Sequence, residues 1–276
     1  QSYAIWPHKS AFENVAYPLK LRRMTKKEIY DRVKEIFSLL RLEGLEERYP
    51  GQLSGGQQQR IALGRAIAYK SQLLLLDEPL ANLDAKVREK VRFELKELQR
   101  QLKFTTIYVT HDQAEAMAIS DKIVVMDHGV VVQEGSALDI YHNPNTRFVA
   151  NFVGQSNFLK GKLLSIEGSK GLIDVGDNVV IDGRVQKTAK IDQHITLCLR
   201  PEDFEISEVQ PPIADRKIWF EGIIRTFTFQ GNIVTYLVDT PHQSFQIQAE
   251  SSLENQFKEG NKVYLKVREN RARMVI

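Results

Sequence analysis

"LSGGQQQRIALGRAIA", residues 53–68, sets a serine and two glycines directly before an unbroken helical pattern. A helix N-terminus carries N–H groups with no intrahelical partner and a partial positive charge. Glycines there let an anion approach the backbone, and a serine hydroxyl adds one more donor. Ser54, Gly55 and Gly56 therefore read as a seat for phosphate. They also read as a plain helix cap, since serine is a favoured N-cap and glycine is common beside it. The residues that follow change the odds.

"LLLLDEP", 73–79, reads as a fully buried strand that ends in Asp77 and Glu78. The C-terminal edge of such strands is where ligands sit in open α/β sheets. Asp77 suits Mg²⁺, held in part through water. Glu78 suits a general base aimed at an attacking water. Acidic pairs at strand ends are also often just solvated. Asp84, in "LANLDA", is placed to cap the next helix, "DAKVREKVRFELKELQRQL", with Val87, Val91, Leu95, Leu98 and Leu102 on one side. "TTIYVTH" is a second buried strand, and His111 at its end can donate to a terminal phosphate or serve as an ordinary loop histidine. "TKKEIYDRVKEIFSLL" carries a capping box, Thr25 with Glu28, and Gly44 is expected to close that helix. "DQAEAMAIS" is a short helix, and "KIVVMDHGVVVQEG" a hairpin turning at "DHG". Strands alternating with helices predict a mainly parallel, layered sheet.

Past Phe152 the texture becomes all-β and barrel-like, with glycine and asparagine turns. It holds a weak repeat. "FLKGKLLSIEGSKG" from Phe158 and "WFEGIIRTFTFQG" from Trp219 share an aromatic, a glycine three places on, an apolar patch and a later glycine. That predicts two similar halves closing on each other. Phe227, Phe229 and Gln230 read either as a ligand site or as a turn in the core.

In this order, "LSGGQQQR", "LLLLDEP", "NLDA" and "YVTHD" resemble the nucleotide-binding subunit of ATP-binding cassette transporters. The resemblance makes "LSGGQ", Ser54 to Gln57, the signature motif, "LLLLDE" the Walker B strand, "NLDA" the D-loop and His111 the switch histidine. "QSYAIWPHKSAFENVAYPL" then looks like the Q-loop and the transporter-facing segment, with Gln1 reaching toward metal and water. The β region, with "LRPEDFEI" at 199–206, resembles the C-terminal regulatory (TOBE-like) barrel of import ATPases for maltose, sulfate, polyamines and ferric iron. "WPH" and "FVANFVGQSNFLKG" lean to the ferric-iron or polyamine members.

The fold this implies is α/β: a P-loop NTPase-type nucleotide-binding domain over 1–153, partial because it lacks its phosphate-loop region, then a small all-β OB-like barrel over 154–276. The implied activity is ATP hydrolysis with Mg²⁺ that powers solute import. The implied catalytic residues are Glu78, His111 and Gln1. Ser54, Gly55, Gly56, Gln57 and Asp84 would hold nucleotide, and Asp77 and Gln1 the metal. The implied partners are a second copy, permease subunits against segment 2–20, and indirectly a solute-binding protein, at the cytoplasmic face of the membrane.

The bulk numbers agree. A formal net charge of +3 over 276 residues gives no argument for nucleic acid. The one cysteine, Cys198, excludes a disulfide within the chain and reads as a small buried hydrophobe. No run approaches the length of a membrane span, and no signal peptide is visible. A GxxxxGK[ST] loop is absent: the nearest match, "GRAIAYKS" from Gly64, has Tyr69 in the second glycine's place and lies within a helix. This predicts an N-terminal truncation and little turnover by the chain alone. A DNA-repair-type cassette ATPase is the competing enzyme class, but its long coiled coils are not seen. A non-enzymatic regulatory fragment is the other alternative.

Overall fold

The computed structural model describes residues 4–69, 72–81, 84–176, 179–212, 218–251 and 257–276. Gln1, Asn82 and Leu83, and the side chain of Val87, lie outside the described residues. The chain forms two compact units, Gln1–Asp121 and Lys122–Ile276.

In the first unit, helices α1 (Ala11–Leu21) and α2 (Lys26–Leu39) both open with capping boxes. The Thr25–Glu28 box is the one expected. Ser10 and Glu13 make the other, with Ser10 N–H donating to Glu13 at 3.0 Å. Gly44 does not close α2. The helix stops earlier, with Arg41 in the left-handed region at φ 54°. Leu42 N–H donates back to Phe37 C=O at 2.8 Å, and both side chains are fully buried. Burial of Leu42 fixes the turn, so a residue other than glycine takes the left-handed position.

Next come α3 (Gly55–Ile67), strand β1 (Leu73–Asp77), α4 (Ala85–Leu102), β2 (Thr105–Val109) and α5 (Gln113–Ile119). β1 and β2 are parallel, in register from Leu73↔Thr105 to Asp77↔Val109, with α4 as the crossover. Val91 and Leu98 of α4 are buried and Leu95 partly so. The strands are not buried on both faces as expected. Leu74 is buried, but Leu75 is 67% exposed and Leu73, Ile107 and Val109 are about half exposed. Among the described residues the sheet has two strands, and helices cover one side.

The second unit begins with hairpin β3 (Ile123–Asp127) and β4 (Val130–Gly135). His128 and Gly129 both have positive φ, 45° and 80°, the requirement of a two-residue type I′ turn. Helices α6 (Ala137–His142) and α7 (Arg147–Phe152) follow. The strands after them are β5 (Asn157–Glu167), β6 (Lys170–Asp174), β7 (Val180–Arg184), β8 (His194–Leu199), β9 (Phe204–Ser207), β10 (Trp219–Phe229), β11 (Ile233–Asp239), β12 (Ser244–Glu250), β13 (Lys262–Val267) and β14 (Ala272–Val275).

These are more than one small barrel. β14-β7-β6-β5-β8 closes into a barrel, and β12-β11-β10-β13-β9 forms a five-stranded sheet. One core, with Leu163, Leu197, Phe220, Phe245 and Leu265, serves both. The repeat seen in the sequence is structural. β5 and β10 each run eleven residues and each bulges, at Leu163/Ser165 and at Ile224/Thr226. Leu163 N–H donates to Gln193 C=O and Ile224 N–H to Asn261 C=O, both at 3.0 Å. The halves also exchange their last strands. β9 follows β8 in the chain but pairs with β13, while β14 follows β13 but pairs with β8. Each half thus completes the other's sheet.

The repeated glycines have a steric cause. A Cβ on Gly161 would stand 2.4 Å from Ile173 Cγ2 and 2.8 Å from Asp174 C=O. On Gly222 it would stand 2.7 Å from Val238 Cγ1 and 2.8 Å from Asp239 C=O. Gly161→Ala is expected to destabilise by about 1–3 kcal/mol through overpacking. Urea unfolding would register a lower midpoint, and an unchanged midpoint would contradict the steric account.

Candidate functional site

Ser54 is the N-cap of α3, with extended backbone at ψ 159°. Its Oγ accepts from Gln57 N–H at 3.4 Å, and Gln57 Oε1 accepts from Ser54 N–H at 2.9 Å. The serine therefore caps its own helix, and Gln57 spends its carboxamide on the same box. The cap uses Oγ as an acceptor and leaves its hydrogen for an outside partner. A Cβ added to Gly55 or Gly56 would meet nothing within 4 Å, so the space before this helix end is open. Of the two readings from the sequence, the cap is the one observed, and the approach to the helix end beside it is unobstructed.

At the other centre, the parallel register ends β1 and β2 side by side. Glu78 N–H donates to Val109 C=O at 2.9 Å, which extends the ladder by one bond. Glu78 then turns left-handed, at φ 44°. Such a backbone is strained for any residue except glycine and costs of order 1–3 kcal/mol. The turn brings the carboxylate within 3.1 Å of His111 Nδ1, with Glu78 mostly covered and His111 mostly exposed. Asp77, one residue earlier, ends β1 with an exposed side chain. Asp84 C=O accepts from Arg88 N–H at 2.8 Å, which starts α4 at the expected cap position. α3 reaches the loop through Gln59, whose Nε2 donates to Pro79 C=O at 2.9 Å.

A support behind His111 escaped the sequence reading. Glu115 is buried and accepts from Tyr108 Oη at 2.8 Å and Thr110 Oγ1 at 2.9 Å. Thr110 Oγ1 in turn accepts from Asp112 N–H at 2.9 Å. Asp112 caps α5, accepting from Glu115 N–H at 3.1 Å and from Arg88 at 3.2 Å. Burial opposes the charge of Asp112, but the Glu115 N–H and the Arg88 guanidinium outweigh it and hold the carboxyl below its usual range. Burial, helped by Glu115, pushes the Tyr108 phenol far up, so it stays a donor. The residues flanking His111 on both sides are thus tied down. The signal available was "DQAE": a cap residue with an acid three places on, the mark of a helix start.

Near the N-terminus, buried Asn14 donates to the C=O groups of Trp6, Lys9 and Ser10 and accepts from Trp6 N–H. The Trp6 ring lies 4.5 Å from Tyr17 and 4.4 Å from the Arg65 guanidinium. The described part of segment 2–20 is a packed loop running into α1. Among the described residues no helix is long and apolar enough to cross a membrane.

Comparison with known proteins accounts for both ends of the sequence. The ABC transporter family matches residues 1–81, and the TOBE domain family residues 197–275. The chain is 39% identical over 238 residues to a spermidine/putrescine import ATP-binding protein of Thermotoga maritima, 86% of this chain and 65% of that protein. It is 52% identical over 179 residues to a trehalose/maltose import ATP-binding protein of Thermococcus litoralis, 64% of this chain and 47% of that protein. The chain thus spans from about half to about two thirds of the length of these relatives. These matches identify the family: the chain belongs to the ABC transporter family and carries a C-terminal TOBE domain.

Proposed function

We propose that this chain is the ATP-hydrolysing part of a solute importer, with ATP held between two copies. The observation that carries the reading is the 3.1 Å approach of Glu78 to His111 at the ends of parallel strands. Glu78 takes the proton of an attacking water. His111, with Nδ1 toward Glu78, fixes the direction of that carboxylate and faces the phosphate through its exposed ring. Ser54 and the amides of Gly55 and Gly56 grip the terminal phosphate of ATP carried by the other copy. Asp84 starts α4, and the family resemblance gives Gln1, outside the described residues, a role toward the same water and metal. Gln57 holds the Ser54 cap in shape.

The residues present fit the cofactor. Asp77 is a single exposed carboxylate at a strand end, and Mg²⁺ is commonly held by one or two carboxylates with phosphate oxygens and water. When bound, Mg²⁺ supplies charge neutralisation at the phosphates. No GxxxxGK[ST] run occurs within these 276 residues.

The two relatives are named for import of spermidine/putrescine and of trehalose/maltose. The polyamine lean has the support of the relative that spans more of this chain. The ferric-iron lean has none. The importer reading puts the protein on the cytoplasmic face of the membrane as a peripheral subunit. There segment 2–20 meets permease subunits, which a solute-binding protein serves.

Ser54→Asp tests the grip. Aspartate is as good an N-cap as serine, so α3 and its stability should be kept within about 0.5 kcal/mol. Its charge faces the phosphate and repels it. With a phosphate loop supplied, light scattering should record ATP-driven dimers for the parent chain and monomers for Ser54→Asp. A Ser54→Asp protein that dimerises with ATP like its parent would remove the sandwich.

A further inference from the structure

The sheet β10–β11–β12 carries one face of amides and hydroxyls. Thr228, Thr235 and Gln248 stand in a cross-strand row, through the pairs Thr228↔Thr235 and Thr235↔Gln248. Gln246 stands two residues along β12 on the same face, and Gln230 continues the face of β10 past its end. Alternation turns Phe227 and Phe229 to the other face, where the Phe227 ring lies 6.1 Å from Tyr236. Tyr141, Gln155 and Glu202 make the opposite wall. The cleft between the walls holds about 500 Å³, a size usual for small-molecule sites.

Its chemistry narrows the ligand. Among the described residues no Lys, Arg or His lines the cleft, and its one charged residue is Glu202. An anion would find no cation there, and one repelling carboxylate. A polycation would find one carboxylate for several charges, with the Arg200 guanidinium 4.3 Å from the Tyr141 ring. The remaining groups are amides and hydroxyls, which donate and accept at once, as the hydroxyls of a neutral polyol do. A merely solvated face should share the charge of a chain that is 26% charged. The far end of the same sheet does so, with Arg225 paired to Asp239 and Lys262 to Glu221. The cleft end does not.

Its walls are also pre-set. Tyr141 Oη donates to Glu202 at 2.7 Å, and Gln246 Nε2 to Gln155 Oε1 at 2.6 Å. Burial, then the bond to Glu202, pushes the Tyr141 phenol far above its ordinary range, so the proton stays on Tyr141. We infer that this cleft binds a neutral polyhydroxylated solute of mono- to disaccharide size.

The test is titration calorimetry on the intact chain with maltose, trehalose, spermidine and sulfate at constant ionic strength. Saturable binding of at least one disaccharide is expected. Gln248→Leu should weaken it about tenfold, the effect of losing a ligand hydrogen bond, with the melting temperature unchanged. Gln230→Leu gives a second measure should the first variant misfold. The assignment is overturned if no disaccharide saturates or if both variants bind like the parent. It is overturned also if spermidine or sulfate is the ligand whose binding Gln248→Leu removes. Nothing in the test uses ATP, so it stands or falls apart from the importer reading.

Discussion

Replacing Glu78 by Gln is expected to cut ATP turnover by ~10²–10⁴-fold, the usual range for a lost general base, while ATP-driven association persists. The substitution is nearly isosteric. The new glutamine would occupy the same left-handed turn, at the same backbone cost, with its N–H still bonded to Val109 C=O. Its side-chain oxygen can still accept from His111 Nδ1, so the pair at 3.1 Å survives as geometry. What disappears is the capacity to take a proton. The measurement is phosphate release in a single turnover, beside light scattering, on the chain with its phosphate loop supplied. A loss under tenfold in a closed assembly would show that Glu78 is not the base. His111→Ala separates the roles further: it removes one partner of the Glu78 carboxylate and leaves the carboxylate in place, so its loss should be smaller.

The sequence exposed the local features because local features have local causes. A hydroxyl three residues before an acid, set directly ahead of a helical pattern, makes a capping box from its own neighbours, hence Thr25 with Glu28. "DHG" supplies two residues that tolerate positive φ, hence the hairpin. The repeat was legible for a similar reason: Gly161 and Gly222 each face a carbonyl that leaves no room for a Cβ. The end of α2 was misplaced, because buried Leu42, not Gly44, decides where the chain turns. What lay hidden depends on residues far apart in the chain. The exchange of β9 and β14 follows from which sheet edge each can reach. At the candidate site, Asp77, Glu78 and His111 were legible as residue types at strand ends. Their juxtaposition was not, because it needs the register Asp77↔Val109 and a strained turn at Glu78. The capping of Ser54 by Gln57 was compatible with the sequence, yet nothing there told cap from phosphate seat, and the structure shows the cap.

Arg200→Met is expected to destabilise the second unit by about 3–5 kcal/mol, the range for breaking a buried charged network. Arg200 is 3% exposed, and its guanidinium is held by oxygens from three places in the chain. Nη1 donates to Ala150 C=O at 2.8 Å, Gln155 C=O at 3.1 Å and Ser156 Oγ at 2.6 Å, and Nη2 donates to Tyr141 C=O at 2.9 Å. These acceptors lie on α6, on α7 and in the stretch leading to β5, so one side chain fastens that segment to the end of β8. Methionine fills much of the volume but donates nothing, and the carbonyls it strands in the interior each cost about 1–3 kcal/mol. Arg200→Lys keeps the charge without the planar fork and should recover only part of the loss. Trp219 lies in this unit and Trp6 in the other, so Trp6→Phe makes tryptophan fluorescence report the second unit alone. In urea the Arg200→Met midpoint should fall by ~2 M, at a slope of about 2 kcal/mol per molar. A fall of only a few tenths of a molar would mean that water satisfies those carbonyls as well as the guanidinium does, and that "LRPEDF" owes its place to something other than this clasp.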